Sequence, residues 1–226
     1  MPGARGLQCL AVDTVFATSV TLGSRVRVPA AHPGASLVIA LHGWGMTERA
    51  FERWLRPGIA ARPHSWWLPR AILPCEISGR RIGYAWYVFD GDQEALRASM
   101  DEGRAYLLGL ADLARRALRP SSITLLGFSR GAYLASYTAL TRPALFDRLV
   151  ICCGRPKSEF VDDLPAARRL KILLQTGSED AGMPREVLER GLEPLRRAGV
   201  AVEERSYPTG HRMVPEMARE AAEFAG

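Results

Sequence analysis

The stretch ITLLGFSRG, residues 123–131, decides the fold. It begins as a short apolar run, which is typical of a strand buried on both faces of a parallel sheet, and residues 132–140 continue as a helix. Ser129 therefore lies in a G-x-S-x-G motif between a strand and a helix, on a sharp turn that leaves its Oγ exposed. The motif predicts a nucleophilic serine. The alternative is a glycine-flanked turn with an idle serine.

Outward from this motif, apolar strands alternate with helical patterns. This order predicts an α/β fold with a mostly parallel central sheet and helices on both faces, in which ligands bind at the carboxyl ends of the strands. At 226 residues, the chain is expected to form one domain over 1–226. Residues 57–92, rich in Pro, Gly and aromatics, are interpreted as irregular. The other predicted strands are 36–41, 149–153, 171–175 and 200–207, and the longest predicted helix is 93–118.

A nucleophilic serine needs a general base, and the chain has four histidines. Three of them precede Ser129. Where the nucleophile follows a buried strand in this way, the order along the chain is nucleophile, acid and histidine, so His211 is the candidate base. The alternative is a surface histidine without a role.

The candidate acid lies between these two residues. Asp180 follows the strand at 171–175 by a short turn, and Pro184 then begins a helix, so the carboxylate is expected at the catalytic edge of the sheet. Glu179 is its close competitor. Asp180 could instead only cap the following helix.

Backbone donors for an oxyanion are expected from two places. The residue after the nucleophile, Arg130, offers one N–H. The turn after the strand at 36–41 reads HGWG, residues 42–45, and Trp44 is the candidate for the second N–H. The alternative for this turn is a tight turn without a role, and His42 is interpreted as structural.

Four motifs together resemble the phospholipase/carboxylesterase family of α/β hydrolases, which includes acyl-protein thioesterases. They are LHGWG at 41–45, GFSRG at 127–131, GSEDAGMP at 177–184 and GHRMVP at 210–215. The resemblance implies a triad of Ser129, Asp180 and His211, oxyanion donors at Trp44 and Arg130, and no cofactor. Arg130 departs from the family, which commonly has glutamine there.

The aromatic segment 82–90 only loosely resembles the family's substrate-side loop. Only 16 residues, 154–169, separate two of the predicted strands, which is too few for a large cap domain. The pocket wall is therefore expected to come from the aromatic segment, or else its side chains pack in the core. The candidate pocket residues are Tyr84, Trp86, Tyr87 and Phe89.

Composition excludes several other classes of function. The net charge of +6 comes from scattered arginines rather than a basic tract, which argues against nucleic-acid binding. The sequence contains neither a zinc motif nor a P-loop, so no metal is expected. The absence of a signal-peptide pattern and of a membrane-length apolar run, with cysteines expected to be reduced, favours a cytoplasmic protein without membrane insertion.

The sequence predicts a serine hydrolase that cleaves a small carboxylic ester through an acyl-enzyme. A thioesterase is the closest alternative, because the same tetrahedral intermediate serves both reactions. A non-catalytic binding protein on the same fold is a third reading. The leaving group, the acyl chain and the oligomeric state stay open.

Overall fold

The computed structural model describes residues 25–79 and 81–226. Among these residues, one sheet contains seven strands, which are β1 (Val26–Ala30), β2 (Leu37–Leu41), β3 (Ser65–Pro69), β6 (Ile123–Phe128), β7 (Arg148–Cys152), β8 (Lys171–Gly177) and β9 (Val202–Tyr207). Their order in the sheet is β1-β3-β2-β6-β7-β8-β9. All neighbours are parallel except β1, which runs antiparallel to β3. The sheet confirms the predicted fold class.

Five α-helices cover the sheet in the described part of the chain. Buried residues of α1 and α5 pack on one face, and those of α2, α3 and α4 pack on the other. The alternating apolar side chains of the strands thus enter two core clusters, one on each face. The helices are α1 (Glu48–Ala61), α2 (Gln93–Leu118), α3 (Arg130–Thr141), α4 (Arg185–Arg197) and α5 (Pro215–Phe224).

The prediction that residues 57–92 are irregular is wrong. Helix α1 continues through Pro57 to Ala61, and β3 follows it with every residue buried. A two-stranded antiparallel hairpin then forms from β4 (Leu73–Ile77) and β5 (Arg81–Ala85). The helix packs against α5 so closely that a Cβ on Gly58 would lie 2.2 Å from the Ala218 carbonyl oxygen. This packing offsets the lost hydrogen bond at Pro57.

The segment between β7 and β8 is short, as predicted from the sequence. It contains two 3₁₀ helices, Ser158–Phe160 and Leu164–Arg169, and no inserted domain. Pro194 does not end α4, which runs continuously to Arg197. None of the helices in the described residues is both long and apolar enough to cross a membrane.

Candidate active site

Ser129 occupies the turn between β6 and α3 with φ +54° and ψ −121°, a conformation that costs energy for any residue with a side chain. Its backbone N–H donates to the Cys152 carbonyl at 2.9 Å. The flanking glycines allow the turn. A Cβ on Gly127 would lie 2.3 Å from the Gly131 oxygen, and one on Gly131 would lie 2.4 Å from the Leu41 oxygen. Local crowding therefore explains the spacing of the motif.

His211 lies in the loop between β9 and α5, at the same edge of the sheet. Its Nε2 is 2.8 Å from the Oγ of Ser129, and its Nδ1 is 2.7 Å from Oδ2 of Asp180. The imidazole also contacts the ring of Phe128, with the centroids 5.3 Å apart. The side chain of His211 is 43% exposed, so the imidazole remains accessible from solvent.

Asp180 follows the end of β8 and has a side chain only 1% exposed. Its second oxygen, Oδ1, accepts the Gly182 N–H at 3.0 Å. The N-cap of α4 is Pro184, so Asp180 does not serve as the cap of that helix. Glu179, its competitor, is exposed, and its backbone N–H donates to the Thr209 carbonyl at 3.0 Å. Of the two carboxylates, only Asp180 contacts His211.

The backbone N–H groups of Trp44 and Arg130 are available as donors. Hydrogen bonds among residues 25–79 and 81–226 include none donated by either group. The neighbouring amides are occupied: Gly45 N–H donates to the Tyr84 carbonyl at 3.0 Å, and Met46 N–H donates to the Gly43 carbonyl at 3.3 Å. The turn after β2 is thus fixed by one hydrogen bond within it and one to β5, and the Trp44 amide makes neither.

His42 is fully buried in that same turn and has a structural role. The Ala71 N–H donates to its Nε2 at 3.2 Å, so the ring proton is on Nδ1, which donates to the Gly43 carbonyl at 2.8 Å. Burial lowers the pKa of His42 to about 4, which keeps the ring neutral at physiological pH. The structure therefore agrees with its interpretation as a structural residue.

A cavity of about 590 Å³ adjoins Arg130, the residue after Ser129. Tyr87 and Phe89 line this cavity, together with Tyr133 and Leu96. The guanidinium of Arg130 lies 5.6 Å from the centroid of the Trp44 ring and 5.7 Å from that of Tyr87. Arg130 therefore connects the turn after β2 with the cavity.

Two of the four candidate pocket residues lie elsewhere. Trp86 is fully buried in the core, where its Nε1–H donates to the His42 carbonyl at 2.7 Å. Tyr84 lies in β5, and its hydroxyl accepts a hydrogen bond from Arg70 at 3.1 Å. Neither is among the residues that line the cavity. The indole of Trp86 packs on the core and finds its hydrogen-bond acceptor there, which explains its position.

Sequence reasoning missed the charged wall of this cavity. Three of its residues, Arg155, Lys157 and Glu159, come from the short segment after β7, and Arg190 comes from α4. They are not close in sequence to the serine motif, so no local pattern singled them out. A sequence signal does exist for part of this set, since residues 155–159 carry a charged side chain at every second position.

A larger cavity, about 1030 Å³, lies at the opposite edge of the sheet, beside Arg148 and Lys171 at the start of β7 and β8. Parallel sheets bind ligands at the carboxyl ends of their strands. The smaller cavity, beside the serine turn, is therefore the relevant one for chemistry at Ser129.

Comparison with known proteins identifies the family of the chain. The family model described as Phospholipase/Carboxylesterase matches residues 24–225. Esterase PE8 is 26% identical, with 89% of this chain and 97% of that chain covered and a TM-score of 0.70. A carboxylesterase from Mesorhizobium loti (21% identity, 88% and 92% covered, TM-score 0.72) and acyl-protein thioesterase 2 of Zea mays (22%, 88% and 96%, TM-score 0.70) share the fold. The chain therefore belongs to the phospholipase/carboxylesterase family and is an esterase- or thioesterase-type α/β hydrolase.

Proposed function

We propose that the protein is a serine carboxylesterase that works through a covalent acyl-enzyme. The observation that carries the proposal is the continuous chain of hydrogen bonds from Asp180 through His211 to the Oγ of Ser129. The carboxylate of Asp180 accepts a hydrogen bond from Nδ1–H of His211, which keeps the proton on Nδ1 and leaves Nε2 as the acceptor for the serine proton. This arrangement suits general-base activation of a hydroxyl.

In the proposed reaction, Oγ of Ser129 attacks the ester carbonyl while its proton passes to Nε2 of His211. The N–H groups of Trp44 and Arg130 stabilise the negative oxygen of the tetrahedral intermediate. The intermediate collapses, and the imidazolium gives its proton to the leaving alcohol. Water then attacks the acyl-serine with His211 again as the base, which releases the carboxylic acid and restores the hydroxyl.

The alternative function is hydrolysis of a thioester. The same tetrahedral intermediate forms from a thioester, so the hydrogen-bonded residues serve both reactions equally. A panel of nitrophenyl esters and acyl thioesters, graded by chain length, distinguishes the two. We expect the esters to be turned over faster at each chain length, and the reverse order identifies a thioesterase.

The mechanism is tested by labelling with a fluorophosphonate and locating the adduct by mass spectrometry. We expect the adduct on Ser129 and no label in Ser129→Ala, which should also lose at least on the order of a thousandfold in turnover. Ser206→Ala, which removes an exposed hydroxyl in β9, is the matched control and should label like the wild type. Equal labelling of Ser129→Ala contradicts the assignment, and absence of label in the wild type favours a binding protein.

A further inference from the structure

We propose that the cavity beside Arg130 binds a carboxylate at the far end of the substrate's acyl chain, so that the enzyme prefers half esters of dicarboxylic acids over neutral esters. The inference rests on the proposed function, because it names the substrate class of the same site. It is carried by the charges that line the cavity and by the cavity-facing hydroxyl of Tyr87, which makes no hydrogen bond among the described residues.

The cavity wall carries a positive charge. Four cationic side chains and one carboxylate line it, which gives a net formal charge of +3. The carboxylate, Glu159, is already occupied: Arg155 binds it through both nitrogens, at 2.9 and 2.6 Å, and Lys157 Nζ lies 2.8 Å from it. Burial alone would raise the pKa of Glu159, but the hydrogen bonds from Arg155 and Lys157 outweigh it and lower the pKa to about 2. Glu159 is thus committed to its own partners.

The two remaining cations, Arg130 and Arg190, have no such partner. The ion pairs found within residues 25–79 and 81–226 include none made by either arginine. The guanidinium of Arg130 is instead held near the rings of Trp44 and Tyr87. Arginine presents a planar fork of N–H donors that matches a carboxylate, so these two groups are suited to an anionic ligand.

The hydroxyl of Tyr87 is a second, independent observation. The side chain is only 5% exposed and lines the cavity. Burial raises the pKa of Tyr87 above its ordinary range, so the hydroxyl keeps its proton and can donate it. Within the described part of the chain, no hydrogen bond is found for this hydroxyl, and the positive charges of Arg130 and Arg155 act on it. A hydroxyl that faces the cavity and has no acceptor among the described residues can donate to an anion bound there.

The position of Arg130 assigns the carboxylate to the reacting molecule. Its backbone N–H is the proposed oxyanion donor, while its side chain lines the cavity. A molecule whose carbonyl lies at Ser129 can therefore extend along Arg130 into the positive wall. Phe89 and Leu96 supply apolar surface for the methylene groups between the two ends.

The test compares two compounds of nearly equal size, monoethyl adipate and its neutral carboxamide analogue, ethyl 6-amino-6-oxohexanoate. Binding to Ser129→Ala is measured by calorimetry, and kcat/KM is measured for the wild type. We expect the carboxylate to be preferred by on the order of tenfold in both measurements, and the preference to fall as salt is raised. Equal affinity and equal kcat/KM for the two compounds overturn the proposal.

Variants of the two arginines locate the effect. Arg130→Gln and Arg190→Gln should each lower the ratio of carboxylate to carboxamide affinity severalfold. Arg56→Gln removes the same charge from an exposed position on α1 and should leave the ratio unchanged. An equal loss in Arg56→Gln would assign the preference to the overall charge of the protein and overturn the cavity site.

Two further outcomes separate this inference from the proposed function. The acetate ester of 6-hydroxyhexanoate carries its carboxylate on the alcohol side, and a preference for it alone overturns the assignment to the acyl chain. If the wild type is labelled by a fluorophosphonate but shows no carboxylate preference, the inference fails and the proposed function stands. If the Ser129→Ala variant prefers the carboxylate but the wild type is not labelled, the anion site stands and the proposed function fails.

Discussion

The Nε2 of His211 lies 2.8 Å from the Oγ of Ser129, although 82 positions separate the two residues in the sequence. Both follow strands of the sheet, β9 and β6, at their carboxyl ends. The loop that carries His211 is held against the end of β8: a Cβ on Gly177 would lie 2.2 Å from the Thr209 carbonyl oxygen. The backbone of this loop is therefore positioned by its contact with β8, which places the His211 side chain within reach of Ser129.

Substitutions of Asp180 and Glu179 show which of these two carboxylates is the acid that partners His211. Asp180→Asn should lower kcat on the order of a thousandfold or more, because His211 loses the partner that fixes its tautomer and stabilises its cation. Glu179→Gln should stay close to the wild type, since that side chain is exposed. Steady-state kinetics on a nitrophenyl ester measure both. A larger loss in Glu179→Gln would move the acid one residue earlier.

Substitutions of Trp86 and Phe89 distinguish a core residue from a pocket residue within the aromatic segment. Trp86→Ala should destabilise the protein by about 3–5 kcal/mol, because it removes a fully buried indole and leaves a cavity. Phe89→Ala should change the chain-length preference for esters with little change in melting temperature, since its side chain is 46% exposed beside the cavity. Thermal unfolding and an ester panel measure the two effects. A near-normal melting temperature for Trp86→Ala would contradict its place in the core.

His42 should make the protein less stable in mild acid. The unfolded chain binds a proton on this residue below pH ~6.5, whereas burial lowers the pKa in the folded protein to about 4. The unfolded state therefore binds more protons between these values, so the free energy of unfolding falls as pH falls, by about 2 kcal/mol between pH 7 and pH 5. Urea unfolding at the two pH values measures this loss. His42→Asn, compared at the same pH values, should show a smaller loss, and an unchanged loss would assign the effect to other groups.

Two glycines of α2, Gly103 and Gly109, allow a matched test of how this helix packs. A Cβ on Gly109 would meet no atom within 4 Å, so Gly109→Ala should stabilise the protein by about 0.5–1 kcal/mol through helix propensity. A Cβ on Gly103 would lie 2.9 Å from Leu134 and 3.1 Å from the Trp86 carbonyl oxygen, so Gly103→Ala should destabilise it. Denaturant unfolding gives both signs. The same sign for the two variants would contradict the packing of α2 on α3.

Much of the fold was predictable because its signals are local. Helix α2 begins and ends at the predicted residues, since its apolar period is sustained over seven turns and Pro120 follows it. Strand β3 was missed because five residues with two tryptophans and a proline carry no clear period, and its partners β1 and β2 are distant in the chain. The continuation of α1 past Pro57 was not predicted, because the packing of α1 on α5 is not visible in the sequence. The alternation in residues 7–28 also predicts an opening antiparallel hairpin. Its last residues fall in β1, which pairs with β3 instead, and residues 7–24 lie outside the described part of the chain.

The candidate site also has a part that the sequence predicts and a part that it does not. Ser129, Asp180 and His211 were found from a motif and from their order along the chain, and the structure brings the three together. The charged cavity could not be found, because its residues come from the segment after β5, from α2, from α3, from the segment after β7 and from α4. Their proximity depends on tertiary packing alone. Arg130 could have drawn attention to the charged cavity from the sequence, because the family commonly has glutamine at that position.

The close approach of Gly131 to the carbonyl of Leu41 joins the serine turn to the turn after β2. It leaves no room for a side chain between them, so a larger residue at position 131 would have to move one turn away from the other. The side chains of Arg130, Phe89 and Arg190 line the cavity and take no part in this contact. Exchange of these three side chains would therefore alter which acyl chain fits while the spacing of the two proposed oxyanion donors is kept.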